Sequence, residues 1–309
     1  MNRDGKVAAL VLVPVLLAAF FSLARFFLEG LDVPRETDYR AAWAVLEKHG
    51  FDAEKQDAVA VLPAWSLRGH VYLRGQSPIP ADVIHEHTPD RYRRIFLWVE
   101  PDASEELETW TAVLPSPFLD EEAGRLRVLG FDLGAPALRF DFRERLKAGE
   151  VWLRDQKNGK SLHCNQARPK GWACPRRPHW QRVTREWRLA TENGVDALWV
   201  HPPKAGETLE LRWEKVPLGT RMVLQYGHTR KGATRAKAPV DVEIWISGKR
   251  VKSFQHAPRF AYSTTVIDTT PWSSTPQDVA FRFSSKNNGT NHFVFDAWTS
   301  EASTEAGAR

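Results

Sequence analysis

The feature that most constrains this chain is an apolar run near its amino terminus. Residues 7–24 read VAALVLVPVLLAAFFSLA, with Ser22 as the sole polar member; Arg25 interrupts the run, and Phe26, Phe27 and Leu28 extend it. A hydrocarbon core of ~30 Å needs about 20 helical residues, so residues 7–28 are long enough to span a membrane. Arg25 stands near the end of that span, where a long cationic side chain can reach the headgroups. Pro14 is tolerated inside a membrane helix. Arg3 and Lys6 precede the run, whereas Glu29, Asp32 and Glu36 follow it against Arg25 and Arg35. This asymmetry places the amino terminus in the cytoplasm and everything after residue 30 outside it, in the periplasm. Ser22-Leu23-Ala24 also fits a small-x-small cleavage pattern. A signal peptide cut after Ala24, giving a secreted protein, therefore competes with a retained single-pass anchor.

The exported portion has the composition of a folded chain, 26% charged and 42% hydrophobic residues. Its length suits one or two domains at about 150 residues each. The two cysteines, Cys164 and Cys174, lie in the loop-like stretch HCNQARPKGWACPRRPHW. Outside the cytoplasm, two cysteines this close usually pair. The alternative ligand set His163, Cys164, Cys174 and His179 matches no compact zinc spacing, so a disulfide is expected and no metal. Ten basic residues between Arg154 and Arg188 face only Asp155 and Glu186. Such a stretch could meet an acidic glycan or a lipid phosphate; export argues against nucleic acid.

Read for organisation, residues 1–30 form the membrane or signal segment. Residues 31–150 alternate helical and strand-like patterns. A helix is predicted after a cap at Thr37 or Asp38, with Ala42, Val45 and Leu46 at helical spacing and Gly50 at its end. The apolar runs at 57–63 and 93–101 read as buried strands. A short helix over 64–75 would separate them, and a helix capped by Asp102 would follow. Strands are predicted at 125–133 and 138–142. This alternation predicts a small α/β sheet domain. Residues 151–190 read as a basic connector closed by the disulfide. In 191–299, strand-like runs recur at 197–201, 208–213, 221–226, 240–247, 250–255, 262–268, 279–284 and 292–297, separated by turn signals such as Pro202-Pro203, Ser247-Gly248-Lys249 and Asn287-Asn288-Gly289. No helical periodicity intervenes, which predicts an all-β jelly-roll sandwich. Residues 300–309 are a polar tail, expected to be disordered. The fold class is thus α+β multidomain: one transmembrane helix, an α/β domain and a sandwich.

Two stretches carry resemblances. AAWAVLEKHG, DAVAVLPAWSLRGHVYL and RRIFLWVEP resemble the extracytoplasmic α/β domain of polytopic lipid-linked-sugar glycosyltransferases. That family's catalysis sits in a multi-helix membrane portion, which a single membrane segment cannot build, so the resemblance implies an accessory relative at most. LWVHPPKAGETLELRW, APVDVEIWISGKRV, TTVIDTTPW and DVAFRFSSKNNGTNHFVFDAW resemble galactose-binding-like jelly-roll modules. Such modules often bind sugars through loops at one end.

Candidate site residues follow from these elements. Ligands on α/β sheets bind at the carboxyl ends of strands, which here carry Trp65, Arg68, His70 and Glu100. On the sandwich, Asp268, Trp272, Asn288 and His292 lie in or near the last loops, where an aromatic face could stack on a sugar ring. No dinucleotide or phosphate-binding glycine motif and no G-x-S-x-G elbow occurs, so the sequence indicates no cofactor and no serine hydrolase. The sequence favours a non-catalytic binding or assembly protein of the bacterial envelope, with other envelope proteins as partners. An enzyme or accessory subunit acting on envelope glycans or lipid-linked sugars is the alternative. Intact-mass measurement of the membrane-extracted protein should return the full chain; a mass lacking residues 1–24 would establish cleavage instead.

Overall fold

The computed structural model describes residues 19–22, 33–64, 66, 68–73, 79, 86–191, 194–287 and 289–301. Apart from residues 19–22, the expected membrane segment lies outside the described residues, as do Ala24, Trp65, Asn288 and the tail from residue 302. Among the described residues no helix is long and apolar enough to cross a membrane.

The amino-terminal unit is a four-stranded sheet between helices. Helix α1 (Glu36–Lys48) buries Tyr39, Ala42, Trp43 and Leu46 on one face. The expected cap at Thr37 or Asp38 is corrected: the cap position is Arg35, and Asp38 lies in the first turn, its carboxylate accepting the Arg35 backbone N–H at 2.7 Å. Strands β1 (Asp57–Leu62) and β2 (Arg94–Val99) pair in parallel. Both are continuous apolar runs because both faces are covered. Val59, Val61, Phe96 and Trp98 meet α1 on one side. Ala58, Ala60, Ile95 and Leu97 meet Trp110 of the helix α3 (Ser104–Thr111) on the other. Strands β3 (Leu119–Ala123) and β4 (Leu126–Asp132) complete the sheet as an antiparallel hairpin, in the order β1-β2-β4-β3. Two further local expectations are corrected. Asp102 does not cap α3, whose cap position is Ala103 with no side-chain bond. The helix expected over 64–75 is a single turn, α2 (Arg68–Val71), where Gly69 allows close approach: a Cβ there would lie 2.7 Å from Val61 Cγ1.

The remainder is a two-sheet antiparallel sandwich. Its strands are β5 (Leu138–Asp141), β6 (Glu150–Asp155), β7 (Ser161–His163), β8 (Gln166–Arg168), β9 (Gly171–Ala173) and β10 (Arg182–Arg188), then β11 (Val195–Val200), β12 (Glu207–Val216), β13 (Arg221–His228), β14 (Val240–Ile246), β15 (Lys249–His256), β16 (Tyr262–Asp268), β17 (Gln277–Ser284) and β18 (Phe293–Ser300). A six-residue helix, α4 (Arg230–Arg235), follows β13. One sheet runs β16-β13-β18-β11-β10-β9-β8, with β5 also alongside β18; the other runs β15-β14-β17-β12-β6-β7. All eight strands expected between 197 and 297 are present, and the chain passes repeatedly between the sheets along them. The side chains that alternate inward form one core around Trp213, Phe281, Phe283, Phe293 and Phe295.

The expected connector at 151–190 is corrected. Its strands β6–β10 are integral to both sheets, and β5 pairs with β18, so the sandwich begins before residue 151. The expected disulfide is present: Cys164, after β7, bonds Cys174, after β9, linking one sheet to the other.

The two units meet through a buried charge cluster. Arg91, just before β2, pairs with Asp141 of β5 and Asp296 of β18, with its guanidinium 4.7 Å from the Trp298 ring centroid. Arg143 approaches Asp296 at 3.5 Å and donates to the Asp196 carbonyl at 2.9 Å. Burial raises the Asp296 carboxyl above its usual range, against the charges of Arg91 and Arg143. Burial also opposes ionisation of Asp141, but Arg91, Arg143 and the Glu144 backbone N–H together hold that carboxyl low. Nearby, Asp90 accepts from Ser300 at 3.0 Å and lies 3.3 Å from Arg221. Replacing Arg91 with Met strands buried carboxylates and is expected to destabilise the protein by roughly 3–5 kcal/mol. Urea unfolding checks this; an unchanged midpoint would refute the role assigned to Arg91.

Candidate functional site

The sequence-predicted residues do not converge on one site. Glu100 is buried after β2 and accepts from the Tyr39 hydroxyl at 2.7 Å and Ser66 Oγ at 2.5 Å. Burial, then the Glu100 bond and charge, push the Tyr39 hydroxyl far up. Glu100 borders an open cavity of about 350 Å³ with Ser104, Glu122, Arg125 and Arg127, and neither Arg68 nor His70 lines it. Arg68 is exposed, though its charge acts on Tyr39; His70 is half-buried, and burial lowers its pKa.

On the sandwich, antiparallel register separates the other candidates. Asp268 lies opposite Arg221 at the start of β13, with Trp272 just beyond it, whereas His292 adjoins Phe293, which lies opposite His228 at the far end of β13. Asp268 accepts the Thr270 backbone N–H at 2.9 Å, which fixes a turn. His292 packs against Trp199 and His201, with ring centroids 5.7 and 5.4 Å away. His201 itself is buried after β11, its Nδ1 3.0 Å from the Pro202 carbonyl.

A denser arrangement lies on the outer face of the six-stranded sheet. In β6, β12, β14 and β17, apolar residues alternate with polar or aromatic ones, and the latter point away from the core. Register sets them in a lateral row: His163, Trp152, Glu210, Arg282, Glu243 and Ser253. Glu210 is the hub. Its side chain is 2% exposed, and it accepts from Arg154 Nη2 at 2.6 Å and Arg282 Nε at 2.5 Å. The Arg282 guanidinium lies 4.0 Å from the Trp245 ring centroid. Trp245 Nε1 donates to Glu243 at 3.0 Å, and Glu243 also accepts from Arg250 at 2.8 Å. At the other end, Trp152 stacks on His163 with centroids 4.4 Å apart. In the neighbouring row Gln255 donates to Asp241 at 2.6 Å, and Gln156 to Thr208 at 2.8 Å.

These rows enclose a groove of about 490 Å³, lined chiefly by Thr208, Asp241, Glu243, Gln255, Arg282 and Ser284. Buried Glu210 holds the two arginines in place without ligand, a preorganised arrangement. The Nη atoms of Arg282 donate to no described residue and remain available. Carboxylate, carboxamide and hydroxyl groups interleave with them, giving donors and acceptors side by side on a rigid floor. Asp241 and Glu243 come from the same face of one strand, so they do not flank a cleft as a hydrolytic acid pair would. The groove holds no histidine or cysteine, and among the described residues no group of three metal-ligating side chains occurs. The sequence signal for this face was the period-two pattern itself, in VDVEIWI and TLELRWEKV.

No family model and no curated protein matches the chain. Among solved structures it is similar to the CBM51-2 and INT domains of ZmpB from Clostridium perfringens (9% identity, 49% of this chain and 26% of that one, TM-score 0.27). It is also similar to a CBM51 from Clostridium perfringens GH95 in complex with methyl-galactose (9% identity, 48% and 80% coverage, TM-score 0.25). A third is Xylanase10C from Cellvibrio japonicus in complex with xylopentaose (10% identity, 51% and 28% coverage, TM-score 0.28). The chain thus spans only about a quarter of the first of these, and likeness at this level carries no argument about function. The resemblance of residues 41–101 to a glycosyltransferase domain finds no support in these comparisons.

Buried and half-buried histidines gather at the end of the sandwich near His292. His256 stacks on His228 at 5.2 Å, and His228 Nε2 donates to Asn291 Oδ1 at 2.8 Å. Burial, then the charges of His228 and Arg259, push His256 down to about 4 from 6.5. Burial, then His201, Lys231 and Arg188, do the same to His292. Between those pH values the unfolded chain binds more protons than the folded one, so stability falls as pH drops from 6.5 towards 4. The urea midpoint should therefore decrease from pH 7 to pH 5, and His256→Phe should flatten that slope.

Proposed function

We propose that this chain is a membrane-tethered, extracytoplasmic glycan-binding protein of the bacterial envelope, without catalytic activity of its own, and that the groove on the six-stranded sheet receives the glycan. The observation that carries this reading is the Glu210 row, with Arg282 fixed in the groove lining and Arg154, Trp152 and Trp245 beside the groove. A sugar ring offers an apolar face and a ring of hydroxyls, each both donor and acceptor. Partly exposed indoles suit the first, and the interleaved carboxylates, carboxamides and guanidinium suit the second. Opposed charges along the row nearly balance, which favours a neutral glycan here. The amino-terminal apolar run supplies the tether, and the sandwich supplies a rigid platform held away from the bilayer by the α/β unit.

The second reading, an enzyme or accessory subunit acting on envelope glycans or lipid-linked sugars, draws on the Glu100–Ser66–Tyr39 cluster beside a cavity at the carboxyl end of the parallel pair. Glycan turnover by the purified protein, lost in Glu100→Gln, would favour it.

Calorimetry against a panel of neutral envelope and plant oligosaccharides tests the first reading. Trp245→Ala should weaken binding about tenfold, the order expected for removing a stacking platform and the arginine it supports. Wild-type protein that binds no member of the panel, or a Trp245→Ala variant that binds as tightly, would defeat the assignment of this face.

A further inference from the structure

The eight-stranded sheet carries a second cavity, of about 440 Å³, where β10 meets the turn after β5. Its wall includes Trp187, which is 49% exposed and the sole tryptophan in the exposed class among the described residues. The indole is held from behind by Gly194, where a Cβ would come within 2.5 Å of its Cζ2; the φ of +81° there suits glycine. The ring is therefore a positioned platform, fixed on the backbone side and open on the cavity side.

Charged groups surround it. Arg185 is clamped, its Nη2 donating to Asp196 at 2.6 Å and its Nη1 to Glu144 at 2.5 Å. Arg143 donates to the Asp196 carbonyl, and the Lys147 ammonium donates to the Gly171 carbonyl at 2.9 Å. Lys170 differs: it lines the cavity, is exposed, and its ammonium hydrogen-bonds to no described residue, its charge reaching Asp196 only through space. With Arg143 balanced by Asp141 and Asp296, the three cations Lys147, Lys170 and Arg185 face the two acids Glu144 and Asp196, leaving a surplus of one positive charge next to an open indole.

We propose that this cavity binds a carboxylate-bearing sugar, a uronic acid residue of an acidic glycan. The indole of Trp187 carries the apolar face of the ring, Lys170 meets the carboxylate, and Glu144 accepts from ring hydroxyls. A bare phosphate needs no aromatic platform, and most of the arginine donors here are already engaged by protein acceptors. One free ammonium matches the single charge of a carboxylate. The site lies on the opposite sheet from the neutral-glycan groove and does not depend on it.

Calorimetry on the full chain in detergent tests this, with a galacturonic acid oligosaccharide and the matching neutral galactose oligosaccharide as probes. The acidic probe should bind more tightly than the neutral one. Trp187→Ala should weaken acidic binding about tenfold. Lys170→Ala should weaken it severalfold and reduce its salt dependence. Trp245→Ala, on the other sheet, should leave it unchanged. Equal affinity for both probes, no binding of the acidic probe, or full affinity in Trp187→Ala would overturn the proposal. So would saturable binding of phosphatidylglycerol vesicles that Lys170→Ala abolishes and Trp187→Ala spares, which would assign the cavity to a lipid phosphate.

Discussion

The arrangement of this molecule depends on one buried guanidinium. Arg91 leaves the α/β unit and enters the sandwich between Asp141 and Asp296, with Arg143 completing a balanced set of charges. Bringing such groups out of water is costly, and their mutual attraction offsets the cost only in a narrow geometry. The cluster is therefore better understood as a device for registry than as a source of stability: any other docking of the two units leaves charges unpaired. Asp141 belongs to β5 and Asp296 to β18, so the same cluster also pins a short edge segment onto a central strand. One consequence is spatial. Docking occupies the outer face of the eight-stranded sheet around β18, β13 and β5, and the outer face of the six-stranded sheet, with its groove, stays clear of that junction.

Much of the fold was legible in the sequence. Strand-like runs between turn signals located all eight strands from β11 to β18; β14 and β17 alternate because one face lies in the core, whereas β11, β13 and β18 are buried on both faces. The fully apolar runs of β1 and β2 likewise announced strands covered on both sides. The failures have a common cause. Strands β7, β8 and β9 span three residues each, too few to show a period, and their polar composition made them read as a connector. Each pairs with a strand close by in the chain, β7 with β6, β8 with β9 and β9 with β10, so brevity and not distance hid them.

The site was less legible for another reason: register with a strand distant in the chain is not written locally. Asp268 and His292 looked like neighbours because both sit in late loops, but the pairing of β13 with β16 and β18 sends those loops to opposite ends of the sandwich. Outward residues such as Glu210, Arg282 and Trp245 looked like ordinary solvent-facing positions until three strands placed them side by side. The basic stretch from Arg154 to Arg188 also changes meaning. Arg154 pairs with Glu210, Arg177 with Glu207 and Arg185 with Asp196. Those three acids lie outside the stretch, so part of a local surplus of charge in the sequence becomes near-neutral pairs on two different sheets. The side chains of Lys157, Lys160, Arg168, Lys170 and Arg176 stay exposed and bond to no described residue, and of these Lys170 alone lines the cavity beside the exposed indole.

The position of β18 has a consequence for the order in which the protein can be made. This strand, the last one described, lies in the interior of the eight-stranded sheet and contacts β13 on one side and both β11 and β5 on the other. Until residues 293–300 have arrived, β13 and β11 have no common neighbour, Arg91 lacks one of its carboxylates, and the sandwich core is missing Phe293 and Phe295. The sheet therefore closes from its middle, last. A chain made amino terminus first must hold its half-built sandwich open until nearly all of it is present, and closure then joins both units late.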